Sequence, residues 1–171
     1  MEEVYPETTA QRCWVHKIKN VLNALPKSLH AKAKEDLRAI WMAPNLKAAQ
    51  QALNHFAQCY LAKYPKAAEK LTKDKDQLLA FYSYPAEHWQ HIRTTNSIES
   101  TFATVRHRTT RTRNCVSRNT FLGLAYKLIE EAQKFWRTIR GANQIELLLR
   151  GTIFKDGEPI SEAIEQQKHA A

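Results

Sequence analysis

The stretch Asn45–Tyr64, NLKAAQQALNHFAQCYLAKY, decides the class of fold. Leu46, Ala49, Leu53, Phe56, Tyr60 and Tyr64 recur at three- and four-residue steps, which places them on one face of a helix. Asn45 stands just ahead of that stripe, where a short side-chain oxygen caps free backbone N–H groups. The same signature repeats on both sides. Ile18, Val21, Leu22 and Leu25 predict a helix that Pro26 ends. Leu29, Ala33, Leu37, Ile40 and Trp41 predict a second, with Ser28 as its cap and Pro44 beyond its end. Pro65 suits the first turn of a short helix through Leu71. The stretch Lys70–Asp76 reads as a charged turn, and Leu78, Leu79 and Tyr82 as another short helix. Five apolar helical stripes before residue 85 predict a helical bundle. In this half only Gln11–His16, QRCWVH, reads as a strand.

Past Pro85 the chemistry changes. Pro85–Thr95 is loop-like and aromatic. Asn96 opens a predicted helix with Ile98, Phe102 and Val105 inward, and Thr109–Asn119 reads as a loop. A long helix is predicted over Thr120–Arg140, with Phe121, Leu124, Leu128, Ala132, Phe135 and Ile139 in one stripe and Gly141 at its end. Ile145–Leu149 continues as a short helix, and Asp156-Gly157 suits the turn of a small hairpin over Thr152–Ile160.

Charge separates the same regions. The 171 residues carry a net charge of +9. Residues 93–119 hold six Arg, no Lys and one acid, Glu99, so more than half the excess sits in that short segment. This points to a localised polyanion contact rather than a general solubility charge. Three Cys with no dense framework predict free thiols and a reducing compartment. No apolar run reaches the length of a membrane span. A cytoplasmic, nucleoid-associated protein is expected.

Four constellations carry candidate chemistry, and each has a plainer reading. Glu99 is a lone carboxylate among cations and can hold a divalent metal. The spacing Asn96-x-x-Glu99 is equally that of a capping box. Arg106, Arg108, Arg111 and Arg113 mix forks with Thr hydroxyls, a composition that grips phosphates, or else form a solvated loop. Cys13-x-x-His16 has the spacing of half a zinc site, which His88-x-x-His91 would have to complete. The plainer reading is a buried Cys and a hydrogen-bonded His. Trp89, between two His, can stack on an unpaired base or sit in the core.

Taken together, QRCWVHKIKNVLNALPK, AEHWQHIRTTNSIESTFATVRHRTTRT and the aromatic-rich helix that follows resemble the C-terminal part of bacterial Mutator-type insertion-sequence transposases. The resemblance covers roughly Val4 to Gly157. It implies an RNase H-like α/β fold interrupted by an all-helical insertion, with an Asp-Asp-Glu triad that binds Mg or Mn, cuts DNA at element ends and joins it to a target. It implies that Glu99 is the last triad member and metal ligand, and that Cys13 and His16 are the family's C-x-x-H signature. Trp89 would be the tryptophan near the end of the insertion, and Arg93, Arg106, Arg108, Arg111 and Arg113 would meet DNA. Asn114 stands where the family tends to have Gly.

The expected architecture is therefore mainly α: a helical insertion domain plus the C-terminal helices of an interrupted RNase H-like fold, most of whose sheet is missing. Residues 1–17 would be a residual strand region, 18–85 the insertion, 86–157 the part with the Glu helix and Arg loop, and 158–171 a frayed tail. Both catalytic Asp are expected upstream of Met1. The chain then reads as an inactive transposase fragment that binds DNA. The alternative is a non-enzymatic DNA-binding or regulatory fragment that joins or inhibits transposase complexes, as a homo-oligomer or with the full-length protein. Missing sheet strands predict that helices after residue 95 expose apolar stripes at Phe102, Leu124 and Leu128.

Overall fold

QRCWVH does not form a strand. Trp14–Leu22 is helix α1, because Trp14 shares a face with Val21 and both are buried. The indole N–H of Trp14 donates to the Leu78 carbonyl at 2.9 Å, and its backbone N–H to the Arg93 carbonyl at 2.9 Å. Six residues of alternation cannot hold a strand without a partner edge, whereas a large aromatic at the first helical turn finds one at once. The structure, a computed structural model, describes residues 8–111 and 117–160, without the side chains of Asn96 and Ser97. Over these residues the chain is mainly α, with one small two-stranded sheet.

After α1, a 3-10 turn at Lys27–Leu29 leads into α2, His30–Trp41. Ser28 does not cap this helix. Pro26 already folds the chain into the turn, and its carbonyl accepts the Leu29 N–H at 3.0 Å. Helix α3, Leu46–Leu61, follows the stripe read from sequence, and the Asn45 side chain accepts the Ala48 N–H at 2.8 Å. Helix α4, Pro65–Thr72, has its proline in the first turn, where the missing N–H costs nothing. Helix α5, Lys75–Leu79, starts inside the expected charged turn and runs into a 3-10 turn over Ala80–Ser83.

Helices α1 to α4 close on one another, α3 against α2 and α4, and α1 against α2 and α4. Val21, Leu37, Ile40, Phe56, Leu71, Leu78 and Phe81 have no exposed surface. Truncating one of these to Ala costs roughly 2–5 kcal/mol by cavity formation. Tyr82 is also inside, and its hydroxyl donates to the carbonyls of Ala43 at 2.8 Å and Ile40 at 3.3 Å. Burial pushes its pKa up to about 12.

Helix α6, Trp89–Ile92, stands where the sequence predicts a loop, after a 3-10 turn at Ala86–His88. Helix α7 spans Asn96–Arg111 and α8 spans Arg118–Gln133. The first runs past Thr109, whose hydroxyl bonds back to the Val105 carbonyl at 3.0 Å within its own helix instead of opening a loop. The second stops seven residues short of Arg140. Beyond Gln133 the N–H groups of Lys134, Phe135 and Trp136 reach carbonyls three residues back, at 3.3, 3.1 and 3.1 Å, the tightened geometry of a helix end.

Helix α9, Ile145–Leu149, precedes a hairpin of β1, Phe154–Lys155, and β2, Glu158–Pro159. Phe154 pairs with Pro159 and Lys155 with Glu158, antiparallel around Asp156-Gly157. Glu158–Pro159, which the sequence places with the tail, are therefore paired residues; residues 161–171 lie outside the description. Among the described residues no helix is long and apolar enough to cross a membrane.

Two compact units emerge, residues 1–94 with 140–171, and residues 95–139. The first contains the helical core and, returning to it, α9 and the hairpin. Asp156 reaches back to accept the Leu46 N–H of α3 at 2.6 Å. The second unit is the α7–α8 pair, where Val105 is buried but Ile98 and Phe102 are 61% and 54% exposed. The inward stripe predicted for α7 thus holds at Val105 and not at Ile98 or Phe102. The uncovered stripe predicted from missing strands is present at Phe102, while Leu124 and Leu128 are half-buried.

Candidate nucleic-acid interface

Helix α7 carries most of the residues singled out from sequence. Glu99 lies in its first turn, where a carboxylate opposes the positive end of the helix dipole. The Glu99 N–H makes the helical bond to the Thr95 carbonyl at 2.9 Å, and the Thr95 hydroxyl donates to Glu99 Oε1 at 2.6 Å. The carboxylate is exposed. The carboxylate is thus held by the Thr95 side chain; the Asn96 side chain that the capping-box reading invokes lies outside the description.

Arg106 follows Glu99 by two turns on nearly the same face, about 10 Å along the axis. Arg108 sits about 180° round the helix from Glu99, and Arg111 about 120°. All three guanidinium groups are exposed. None of the three makes a hydrogen bond or ion pair with another described residue, so their forks are open to an external anion. The cations therefore fan round the helix rather than line one side. Arg113, with Asn114, lies outside the described residues.

Arg93 differs in kind. Its Nη1 donates to the Trp41 carbonyl at 2.5 Å and its Nε to the Trp89 carbonyl at 3.2 Å. The guanidinium lies over the Phe81 ring at 5.4 Å, a stabilising cation–π arrangement. Burial draws its pKa below the ordinary value, opposed by the neighbouring Tyr82. This cation ties helices of the core together, and two of its three nitrogens are already committed to main-chain carbonyls rather than to a phosphate.

Trp89 is likewise occupied. Its indole N–H donates to the Tyr84 carbonyl at 2.8 Å, and its ring stands edge-on to Tyr82 and Phe81, at 4.8 and 5.4 Å between centroids. A Cβ on Gly157 would come within 3.0 Å of it. The core reading of Trp89 is the one this geometry favours.

The His pair is held by the main chain. His88 Nε2–H donates to the Gly141 carbonyl at 2.8 Å, and the Arg140 N–H donates to His91 Nε2 at 3.0 Å. Both rings thus tie the returning chain to α6 and the turn before it. His16 is exposed and Cys13 half-buried at the start of α1. Among the described residues no group of three or more His, Cys, Asp or Glu side chains could hold a metal ion.

Sequence reasoning missed the tethering by His88, His91 and Asp156, because each partner is a backbone group that no spacing rule shows. It also missed the exposure of Phe135 and Trp136, at 82% and 59%, which follows from the early end of α8.

The family of transposases described as Mutator matches residues 1–139 of the chain. The chain is 56% identical, over its whole length, to the transposase for insertion sequence element IST2 of Acidithiobacillus ferrooxidans, of which it covers 58%. It is 50% identical over 92% of its length to the transposase for insertion sequence element IS6120 of Mycolicibacterium smegmatis, of which it covers 49%. The chain thus spans about half the length of these curated relatives.

Proposed function

Because this chain belongs to the Mutator family of transposases, we propose that it is the DNA-gripping portion of an insertion-sequence transposase, in which α7 presents cations to the phosphate backbone. The observation that carries this reading is Arg106, Arg108 and Arg111, exposed on one helix without a partner among the described residues. Arg forks match phosphate oxygens in pairs, and Arg108 and Arg111, about 60° apart round the helix, can meet one strand that passes beside it.

In the longer protein Glu99 supplies one carboxylate to a divalent-metal site. Phosphoryl transfer by two metals needs several converging ligands. The described residues bring no such set together, and no step of cleavage is assigned to them. The hydroxyl of Thr95 holds Glu99 Oε1 in the meantime.

The test is incubation of supercoiled plasmid with the purified chain and Mg²⁺ or Mn²⁺. Nicking stays at the background level. Metal-dependent nicking that disappears in Glu99→Gln would show a complete catalytic site and overturn this assignment.

A second reading, regulation of transposase complexes by a non-enzymatic fragment, draws on the apolar side chains of Ile98, Phe102, Phe135 and Trp136 left exposed in residues 95–139. Such a fragment would join the full-length protein, or a second copy, through that surface.

A further inference from the structure

The outer face of α3 is rich in side-chain amides. Lys47, Gln51, Asn54 and Gln58 form its solvent-side stripe, flanked by Gln50 and His55, and all six are exposed. No Asp or Glu occurs between Leu46 and Leu61. None of these four amides makes a side-chain hydrogen bond with another described residue, so their donors and acceptors are open. The surroundings are strongly cationic. Residues 8–79 hold thirteen basic and five acidic residues, a net charge of +8. The acid nearest α3 on its neighbour α2, Asp36, is already engaged by the Tyr60 hydroxyl at 2.9 Å and by Lys32 at 3.3 Å.

We propose that this face of α3 enters the major groove of duplex DNA and reads base edges through Gln51, Asn54 and Gln58. The inference rests on the DNA-transposition reading above and adds a second, sequence-reading contact on a different unit. A 16-residue helix spans about 24 Å, and the major groove, about 12 Å wide, admits a helix. Asn and Gln amides pair with the N6 and N7 of adenine. Lys47, at the first turn of the stripe, holds a phosphate beside the groove. A protein partner would call for aromatic and Met anchors, and the stripe has none. The N–H groups of Leu46 and Ala48 at the start of α3 are taken by Asp156 and Asn45, and the proposed contact is made by side chains.

The experiment is selection from a duplex DNA pool with a randomised central segment, using the full chain at low salt. Two variants accompany it: Gln51→Ala/Asn54→Ala/Gln58→Ala and Arg106→Ala/Arg108→Ala/Arg111→Ala. Alanine at exposed helical positions preserves the helix, and circular dichroism verifies it. The wild type enriches a motif containing adenine. The amide variant still binds the pool, but its preference for that motif falls about tenfold or more. An unchanged motif in the amide variant overturns the inference, as does a wild type that binds without enriching any motif. Loss of the motif in the arginine variant alone moves base reading to α7 and leaves the DNA reading standing. A change in oligomeric state of the amide variant with the motif intact makes α3 a protein contact and also overturns it. Failure of the wild type to bind any duplex sinks both readings.

Discussion

Lys17 is a buried ammonium, 8% exposed, and its Nζ is held by the Asp74 carboxylate and by the Lys70 carbonyl at 2.8 Å. A buried charge needs such partners. The hydrogen bond from Lys17, with the fields of Lys17, Arg12 and Lys73, holds the Asp74 carboxyl below its usual pKa against the opposing effect of burial. A carboxyl whose folded pKa is depressed contributes stability that is complete above its unfolded value, about 3.9, and is lost as pH falls through the folded value. Asp74→Asn should therefore lower stability at neutral pH by roughly 1–3 kcal/mol, the cost of an unsatisfied buried polar partner. In urea melts at a series of pH values, the difference between wild type and variant should shrink as pH drops below that range. A difference that persists unchanged into acid would contradict the ion-pair account. Spacing gave no hint of this pair, since Lys17 and Asp74 are far apart in sequence and Lys is ordinarily a surface residue. The same limit explains Trp89 and Arg93. Their types and positions suit nucleic acid, yet each is engaged by main-chain carbonyls that only the fold supplies.

Among the elements, the hairpin of β1 and β2 shows how a short segment is fixed by its contacts. Two residues per strand cannot stand alone. The Ala86 N–H donates to the Gly157 carbonyl at 3.1 Å, and Asp156, at a φ of 53°, caps α3. Gly157 has a φ of 91°, and an added Cβ would meet Ala86 Cβ at 2.6 Å and the Trp89 ring at 3.0 Å. Gly157→Ala should cost about 1–3 kcal/mol, from backbone strain and displaced packing. Fluorescence from Trp89 should shift with it, because its ring is the wall that gives way. A variant with wild-type thermal stability would show that the hairpin is not docked against this ring. The Asp156-Gly157 turn was legible in the sequence because a left-handed turn demands such residues. The docking was not, because it depends on the core behind it. Helix α3 was legible with its cap and its buried face at Ala49, Leu53, Phe56 and Tyr60, though Leu46 is exposed and Tyr64 lies past its end. The end of α8 was missed because its apolar stripe continues through Phe135 and Ile139 after the backbone has left the helix.

Across the whole molecule, charge and fold divide the chain in different places. By composition the Arg-dense segment begins at residue 93, whereas the compact units divide at residues 94/95 and again at 139/140. Arg93 falls on the core side of that division and acts there. Sequence order assigns the segment 140–157 to the Glu-bearing region, yet it packs with the helical core through His88, His91 and Asp156. A linear reading assigns a returning segment to its sequence neighbours, because patterning says which face is apolar and not which surface covers it. The family, by contrast, was legible in QRCWVHKIKNVLNALPK, AEHWQHIRTTNSIESTFATVRHRTTRT and the helix after them, since long motifs carry more information than any periodicity.

The measurement that tests the central claim most directly is the salt dependence of duplex DNA binding, by fluorescence anisotropy, for the wild type and for Arg106→Ala/Arg108→Ala/Arg111→Ala. Each phosphate neutralised contributes about −0.9 to the slope of log affinity against log salt. The wild type should bind with a steep negative slope, and the variant should bind more weakly with a slope shallower by about 2–3. An identical slope in both proteins, or no binding by the wild type at low salt, would contradict the claim that α7 grips the DNA backbone.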